Sequence, residues 1–343
     1  MFGFGQMNLD VQNSLYPIMK KFSVKGLLSI LIGLYVGSIV CYSQSGWTST
    51  HLNSGGKDLN AVYFSDSKHG WVGGDGGFLA YTDDAGASWV ERRLGIDHAI
   101  NDVYFVSKDH GFALTGGSIF ETSDGGHSWH EGYKFSSTEF EGASPELYSL
   151  RFNGKKRGWV VGSASRGDVI VNSILAITRD SGVTWQVLRA PSNQELIHID
   201  VVDERRAWIV GAGGAILHTE DAGETWIRQK SGTEATLYHV DFRNEKQGWA
   251  VGERGTILRT EDGGNSWTKV ESPARSTLLS VQFVNEDEGW IAGRSGVILR
   301  SSNRGQTWIE QESGTKQNLY ALFIDKKNGW AVGSNGLILK YQR

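Results

Sequence analysis

Carboxylates recur along this 343-residue chain at one fixed place in a short motif. Ser/Thr-x-Asp-x-Gly-x-Ser/Thr-Trp runs from Thr82 to Trp89, Thr122 to Trp129, Thr178 to Trp185, Thr219 to Trp226 and Thr260 to Trp267, and a further copy, Ser301 to Trp308, has Asn303 in place of the acid. Two carboxylates facing each other across a cleft could hydrolyse a glycoside. Near-copies spread through a repeat cannot all be catalytic, and no acid pair stands outside the repeat. Asp84, Asp124, Asp180, Asp221, Asp262 and Asn303 therefore read as structural turn-builders. The acid accepts backbone N–H bonds, and the following Gly86, Gly126, Gly182, Gly223 or Gly264 takes the left-handed conformation the turn needs. No catalytic residue is assigned.

Other chemistry is sparse. His198 and Asp200, and His239 and Asp241, fall at equivalent places in two successive repeats and form a donor set that could hold a metal. The reading preferred is a repeat-derived hydrogen bond between neighbouring units, so neither a metal nor any cofactor is expected. The single cysteine, Cys41, lies in an apolar N-terminal stretch, so residues 44–343 have no thiol for a disulfide frame, a Cys zinc site or a Cys nucleophile. A formal net charge of -4 spread along the chain lacks the basic footprint of a nucleic-acid binder.

The elements that must carry these residues are set by a second motif, Gly-Trp or a variant of it. It places Trp71, Phe112, Trp159, Trp208, Trp249, Trp290 and Trp330 at spacings of 41, 47, 49, 41, 41 and 40. Seven units result. Each reads as four short strands, A to D, by alternation and turn signals; in the fifth unit these are Leu237 to Phe242, Gly248 to Gly252, Thr256 to Thr260 and a strand beginning near Trp267. Four antiparallel strands at this period predict an all-β, seven-bladed β-propeller. The last unit lacks strand D, and Gly46 to Leu52 resembles one, so the N-terminal strand is expected to complete the last blade and close the ring. All 13 tryptophans then occupy the two repeat positions, which makes them structural and not platforms for a ligand.

Irregularities in a repeat point to function more than the repeat does. One insertion falls within Glu131 to Glu146, between strand D of blade two and strand A of blade three; another falls around Ser163 to Ser173, in the turn between strands B and C of blade three. Turns alternate ends in an up-and-down blade, so both insertions share a face and the acid-centred turns lie on the other. Arg166 in the second insertion, with Arg254 and Arg294 at the B-to-C tips of blades five and six, could clamp a carboxylate or an acidic peptide. Phe135 and Phe140 in the first insertion are expected as exposed aromatics that contact a protein.

Met19-Lys20-Lys21-Phe22-Ser23-Val24-Lys25, the apolar run Gly26 to Val40 and Cys41-Tyr42-Ser43-Gln44 have the layout of a signal peptide cleaved before Gln44. Bulky Val40 argues against a lipid on Cys41. Residues 1–43 are read as an N-terminal extension and cleavable signal, with Met19 a candidate start, and residues 44–343 as the propeller. The mature chain is expected across the cytoplasmic membrane, periplasmic or extracellular, as a monomer.

The Gly-Trp and Asp-box motifs, joined by Val-Gly-x-x-Gly-x-Ile-Leu at Val210 to Leu217 and Val251 to Leu258, resemble the photosystem II stability/assembly-factor family of Asp-box (BNR-repeat) propellers. The resemblance covers essentially all of 44–343 and implies a non-catalytic exported scaffold that helps build a membrane protein complex, on the lumenal side in a phototroph. Its partner would be a membrane-complex subunit. The alternative is a carbohydrate-binding or glycoside-hydrolase-type Asp-box propeller; sialidases share the Asp box, but no Arg here is followed by Ile-Pro.

Overall fold

A computed structural model describes residues 46–342 of the chain, so the signal-peptide reading, Met19 and Cys41 lie outside the described residues. Within them the strands form seven four-stranded antiparallel sheets, each in sequential order from the innermost strand A to the outermost D. The expected all-β, seven-bladed propeller is what the chain adopts. Its last sheet is Leu319–Ile324, Asn328–Gly333 and Leu337–Gln342, completed by Trp47–His51 from the other end of the chain. Trp47 pairs with Tyr341 and His51 with Leu337, so the N-terminal strand closes the ring as expected. In the fifth blade strands A and B have the bounds read from the sequence, C is Ile257–Thr260 and D is Thr268–Val270.

The core lies between blades, because each hydrophobic cluster draws on two neighbours: Trp249, Val251 and Ile257 of blade five pack with Leu278, Val281 and Phe283 of blade six. Two aromatic contacts repeat around the ring. The strand-B Trp stacks on the Phe that ends strand A of the next blade, Trp208 on Phe242 at 3.7 Å and Trp249 on Phe283 at 3.6 Å. The Asp-box Trp meets the same Phe edge-on, as Trp267 meets Phe242 at 5.8 Å and 87°. Such pairs add about 0.5–1.5 kcal/mol each beyond the area they bury.

This sandwich explains the glycine of Gly-Trp. Phe242 lies flat on its cross-strand partner Gly248, where a Cβ would come within 2.4 Å of the ring. In blade four strand A ends in Val201 instead of Phe, and its partner is Ala207 instead of Gly. The Asp boxes are built as expected. In the second, Asp124 Oδ1 accepts from Ser128 N at 2.9 Å and from Thr122 Oγ1 at 2.8 Å, while Gly126 sits at φ 84° over the Trp71 ring. The hydrogen bonds from Ser88 and Thr82 hold the Asp84 carboxyl down at about 2.

Both insertions in blade three fold into ordered structure. The second is not a loop but a hairpin, with Arg157–Arg166 and Val169–Thr178 each running ten residues. The first forms a turn of 3-10 helix, Ser137–Phe140, capped reciprocally by Ser136 and Glu139, and a lengthened strand A, Ser144–Asn153. Connections from D to A do share a face with B-to-C turns, since Phe135 N donates to Gly117 O and Leu147 N to Gly116 O.

Candidate functional site

The innermost strands point alternate side chains into the central channel, and a waist of shared residues divides it into two cavities. The upper one, about 440 Å³, opens on the face that carries the insertions. Its mouth is set by the residue after a buried Leu or Ile in the first half of each innermost strand: Asn60, Asn101, Tyr148, Ile197, Tyr238, Leu279 and Tyr320. A lower cavity of about 180 Å³ lies toward the Asp-box face and is lined by Tyr63, Tyr104, Asp200, Asp241 and Gln282 among others.

Arg151 forms the waist with Asp102, His198 and His239, all of which line both cavities. Its Nη1 donates to Asp102 Oδ2 and to Leu150 O, each at 2.6 Å. Its Nη2 stands 3.2 Å from His198 Nε2, and the guanidinium lies 5.2 Å from the centre of the Tyr104 ring. Burial works against the Arg151 charge, and Asp102, with Tyr104 and Asp200, more than restores it. His198 stacks on His239 with centroids 3.6 Å apart. Burial and the nearby Arg151 charge push His239 down to about 3, and burial, His239 and Arg151 push His198 well below the usual imidazole range. Both rings are therefore neutral and serve as hydrogen-bond acceptors or donors by tautomer.

The channel acids link blades. Asp102 Oδ2 accepts from Leu150 N at 3.0 Å, Asp200 Oδ2 from Phe242 N at 2.7 Å and Asp241 Oδ2 from Phe283 N at 3.0 Å. His198 Nδ1 faces Val240 N at 3.5 Å in the same way. The inter-blade hydrogen bonds expected of this set are present: an innermost strand has one edge unpaired, and its neighbour's side chains satisfy the exposed N–H groups. Burial, then the charge of Asp200, raises the Asp241 carboxyl to about 8. Among the described residues no group of three or more His, Cys, Asp or Glu side chains is placed to hold a metal ion.

The residues picked from sequence for partner binding separate in space. Arg166 ends the first strand of the hairpin and donates to Glu141 O, with the Glu141 carboxylate 4.0 Å away, so the two insertions touch through it. Arg254 and Arg294 are exposed at the corners of adjacent blades, and the Arg294 charge reaches Tyr238 at the channel mouth. Phe135 and Phe140 are not exposed. At 2% and 3% exposure they form the core of the insertion with Leu147, Ala164 and Ile174, because a lengthened hairpin needs its own apolar filling. Sequence reasoning missed Arg151 and the mouth tyrosines. Laying the seven innermost strands over one another would have found Arg151, the single cation in a column otherwise occupied by Tyr63, Tyr104, Asp200, Asp241, Gln282 and Phe323.

Fold and site together define an Asp-box propeller with a waisted channel whose wide mouth lies on the elaborated face. The chain belongs to the family described as photosynthesis system II assembly factor YCF48, which matches residues 93–166, 142–233, 224–316 and 275–342. It is 32% identical over 142 residues to the chloroplastic photosystem II stability/assembly factor HCF136 of Oryza sativa subsp. japonica, a match covering 39% of this chain and 31% of the rice protein. The chain thus spans about a third of that relative's length. Among solved structures, YCF48 bound to D1 peptide superposes with a TM-score of 0.71 at 23% identity, covering 88% of this chain and 96% of that one. A catalytically inactive virginiamycin B lyase from Staphylococcus aureus superposes with a TM-score of 0.71 at 14% identity, over 87% and 99%. The fold is therefore shared with an enzyme as well as with assembly factors.

Proposed function

We propose that the protein is a non-catalytic, exported scaffold that holds a segment of a membrane-complex subunit against the elaborated face of its propeller. The observation that carries this reading is membership of an assembly-factor family across most of the chain. A propeller of the same fold is described as bound to a D1 peptide, which supports a peptide as the bound form. The geometry agrees: a wide mouth opens on the face that alone carries insertions, flanked by Arg254 and Arg294, while the acids of the channel are spent on inter-blade bonds. A monomer suffices for this role, since side chains of the neighbouring blade cover inner strand edges and the N-terminal strand completes the last sheet.

The test is capture from native envelope extract by the wild-type protein and by an Arg166→Ala, Arg254→Ala, Arg294→Ala variant with unchanged melting. Retention of a membrane-complex subunit by the wild type, reduced in the variant, is the expected result. Capture of no membrane protein, with turnover or retention of a glycan instead, would sink the scaffold reading.

A further inference from the structure

The mouth of the channel carries a second pattern that runs around the ring. Asn60 Nδ2 donates to Asp75 Oδ1 at 3.0 Å, Asn101 Nδ2 to Glu146 Oε1 at 2.7 Å and the Tyr320 hydroxyl to Asp58 Oδ2 at 2.8 Å. Burial raises Tyr148 and Tyr238, and Glu195 adds to both while Glu253 adds to Tyr238. Three of the seven mouth positions thus donate to a carboxylate, and carboxylate charge from Glu195 and Glu253 reaches Tyr148 and Tyr238 as well. Asn60, Asn101 and Tyr320 donate to a carboxylate, while the Tyr148 hydroxyl lies 3.2 Å from Ser163 Oγ and the Tyr320 oxygen also meets Ser334 Oγ at 3.0 Å. A tyrosine whose hydroxyl donates to an anion is also a more electron-rich partner for a cation.

The floor agrees with the walls. His198 and His239 are neutral, His239 Nδ1 is buried without a hydrogen-bond partner, and Asp102 balances Arg151 at 2.6 Å. Among nearby cations, Lys57 is spent on Gly76 O at 3.2 Å, and Arg294 stands out on the rim. A cavity of about 440 Å³ with three tyrosines in its wall and carboxylates behind its mouth favours a cation.

We infer that the upper cavity is a socket for one basic side chain, an arginine or lysine presented by the partner segment, with the rim arginines meeting the partner's acids or backbone carbonyls around it. This rests on the scaffold reading and reverses the expectation of a purely acidic peptide, because the arginines chosen from sequence lie around the cavity and not in it. An arginine fits the lining: its planar face stacks on tyrosine and its charge is met by the carboxylates behind the mouth.

The probe is a fluorescein-labelled Gly-Gly-Arg-Gly-Gly peptide, compared by anisotropy with versions carrying citrulline or glutamate at the centre. The arginine peptide is expected to bind at least tenfold more tightly than the citrulline peptide and to weaken as salt rises. Asp58→Asn with Glu195→Gln, folded by its melting curve, should lower that affinity at least fivefold. The single Glu253→Gln variant, at a half-buried corner where the amide oxygen can still accept from Thr236 N, should lower it about twofold and provides the test if the pair fails to fold. Equal binding of arginine and citrulline peptides, no binding of either, preference for glutamate, or indifference to these variants overturns the socket. Free butylguanidinium that competes at the same concentration as the peptide would replace the partner side chain by a small cation and overturn that part of the inference. A membrane subunit captured equally by wild type and by Glu253→Gln would remove the socket and leave the scaffold intact, whereas capture of no subunit removes the scaffold itself.

Discussion

Asp241 gives the sharpest test of the channel's electrostatics. It accepts from Phe283 N at 3.0 Å in the lower cavity, faced by Asp200 of the preceding blade, by Arg243 on its own segment and by the neutral His239 above. Burial and Asp200 hold its folded pKa near 8, against an ordinary value of 3.8. Between those values the folded protein keeps a proton that the unfolded chain has lost, so stability falls as pH rises from about 4 to about 8 and levels off above. At about 1.4 kcal/mol per unit the whole gap sets a ceiling near 6 kcal/mol. An effective dielectric of about 20, the value that suits buried protein sites, reduces this to an expectation of about 2 kcal/mol. Asp241→Asn keeps the acceptor for Phe283 N and stays neutral at every pH. Urea unfolding should therefore show wild type and variant alike near pH 4 and the variant about 2 kcal/mol more stable at pH 8.5. A variant that is less stable than wild type at pH 8.5, by a margin that shrinks on acidification, would mean that Asp241 is a favourably ionised group and would refute the reasoning.

Packing and turn geometry set three further outcomes. Gly248→Ala drives a methyl into Phe242, which Trp208 already covers at 3.7 Å, and should cost about 2–3 kcal/mol by chemical unfolding, whereas Ala207→Gly, opposite Val201, should cost about 1 kcal/mol or less. Asp262→Ala removes the acceptor for Ser266 N and Oγ at 2.9 and 2.6 Å and should cost about 1 kcal/mol; Asp262→Asn should recover most of it, since Asn303 makes the equivalent bonds with Thr307. Deletion of residues 46–51 unpairs the edge of Leu337–Gln342 and should convert a single sedimenting species into higher oligomers, with a lower melting temperature.

The fold was legible because its rules are local and repeated. Gly-Trp marks the strand on which a neighbour's Phe must lie flat, and the Asp box marks a turn that satisfies its own donors, so both recur at the blade period. The hairpin strands of blade three were harder to read. Val169–Thr178 alternates poorly at its start, and only the burial of Phe135 and Phe140 beneath it shows why the chain extends there instead of looping. Exposure was misjudged for those two aromatics because an insertion looks polar in sequence until its partner insertion is placed over it.

The mouth was illegible for a different reason. Two of its pairs join residues from one blade to the next, Asn101 with Glu146 and Tyr320 with Asp58 across 262 residues of chain, so the pattern cannot be read from one repeat alone. Stacking between blades constrains the last residue of each innermost strand, and the buried Leu or Ile constrains the first; the residue that faces the mouth carries neither duty. It is the position where the sequence of a propeller is free to vary without cost to the ring. That Asn, Asn, Tyr, Tyr and Tyr are found at five of these positions, three of them hydrogen-bonded to an acid, is not required by the fold. Packing would be served as well by the Ile197 and Leu279 that fill the other two. The choice of polar residues there is consequently the part of this structure that its stability does not explain, and recognition of a basic side chain is the function that accounts for it.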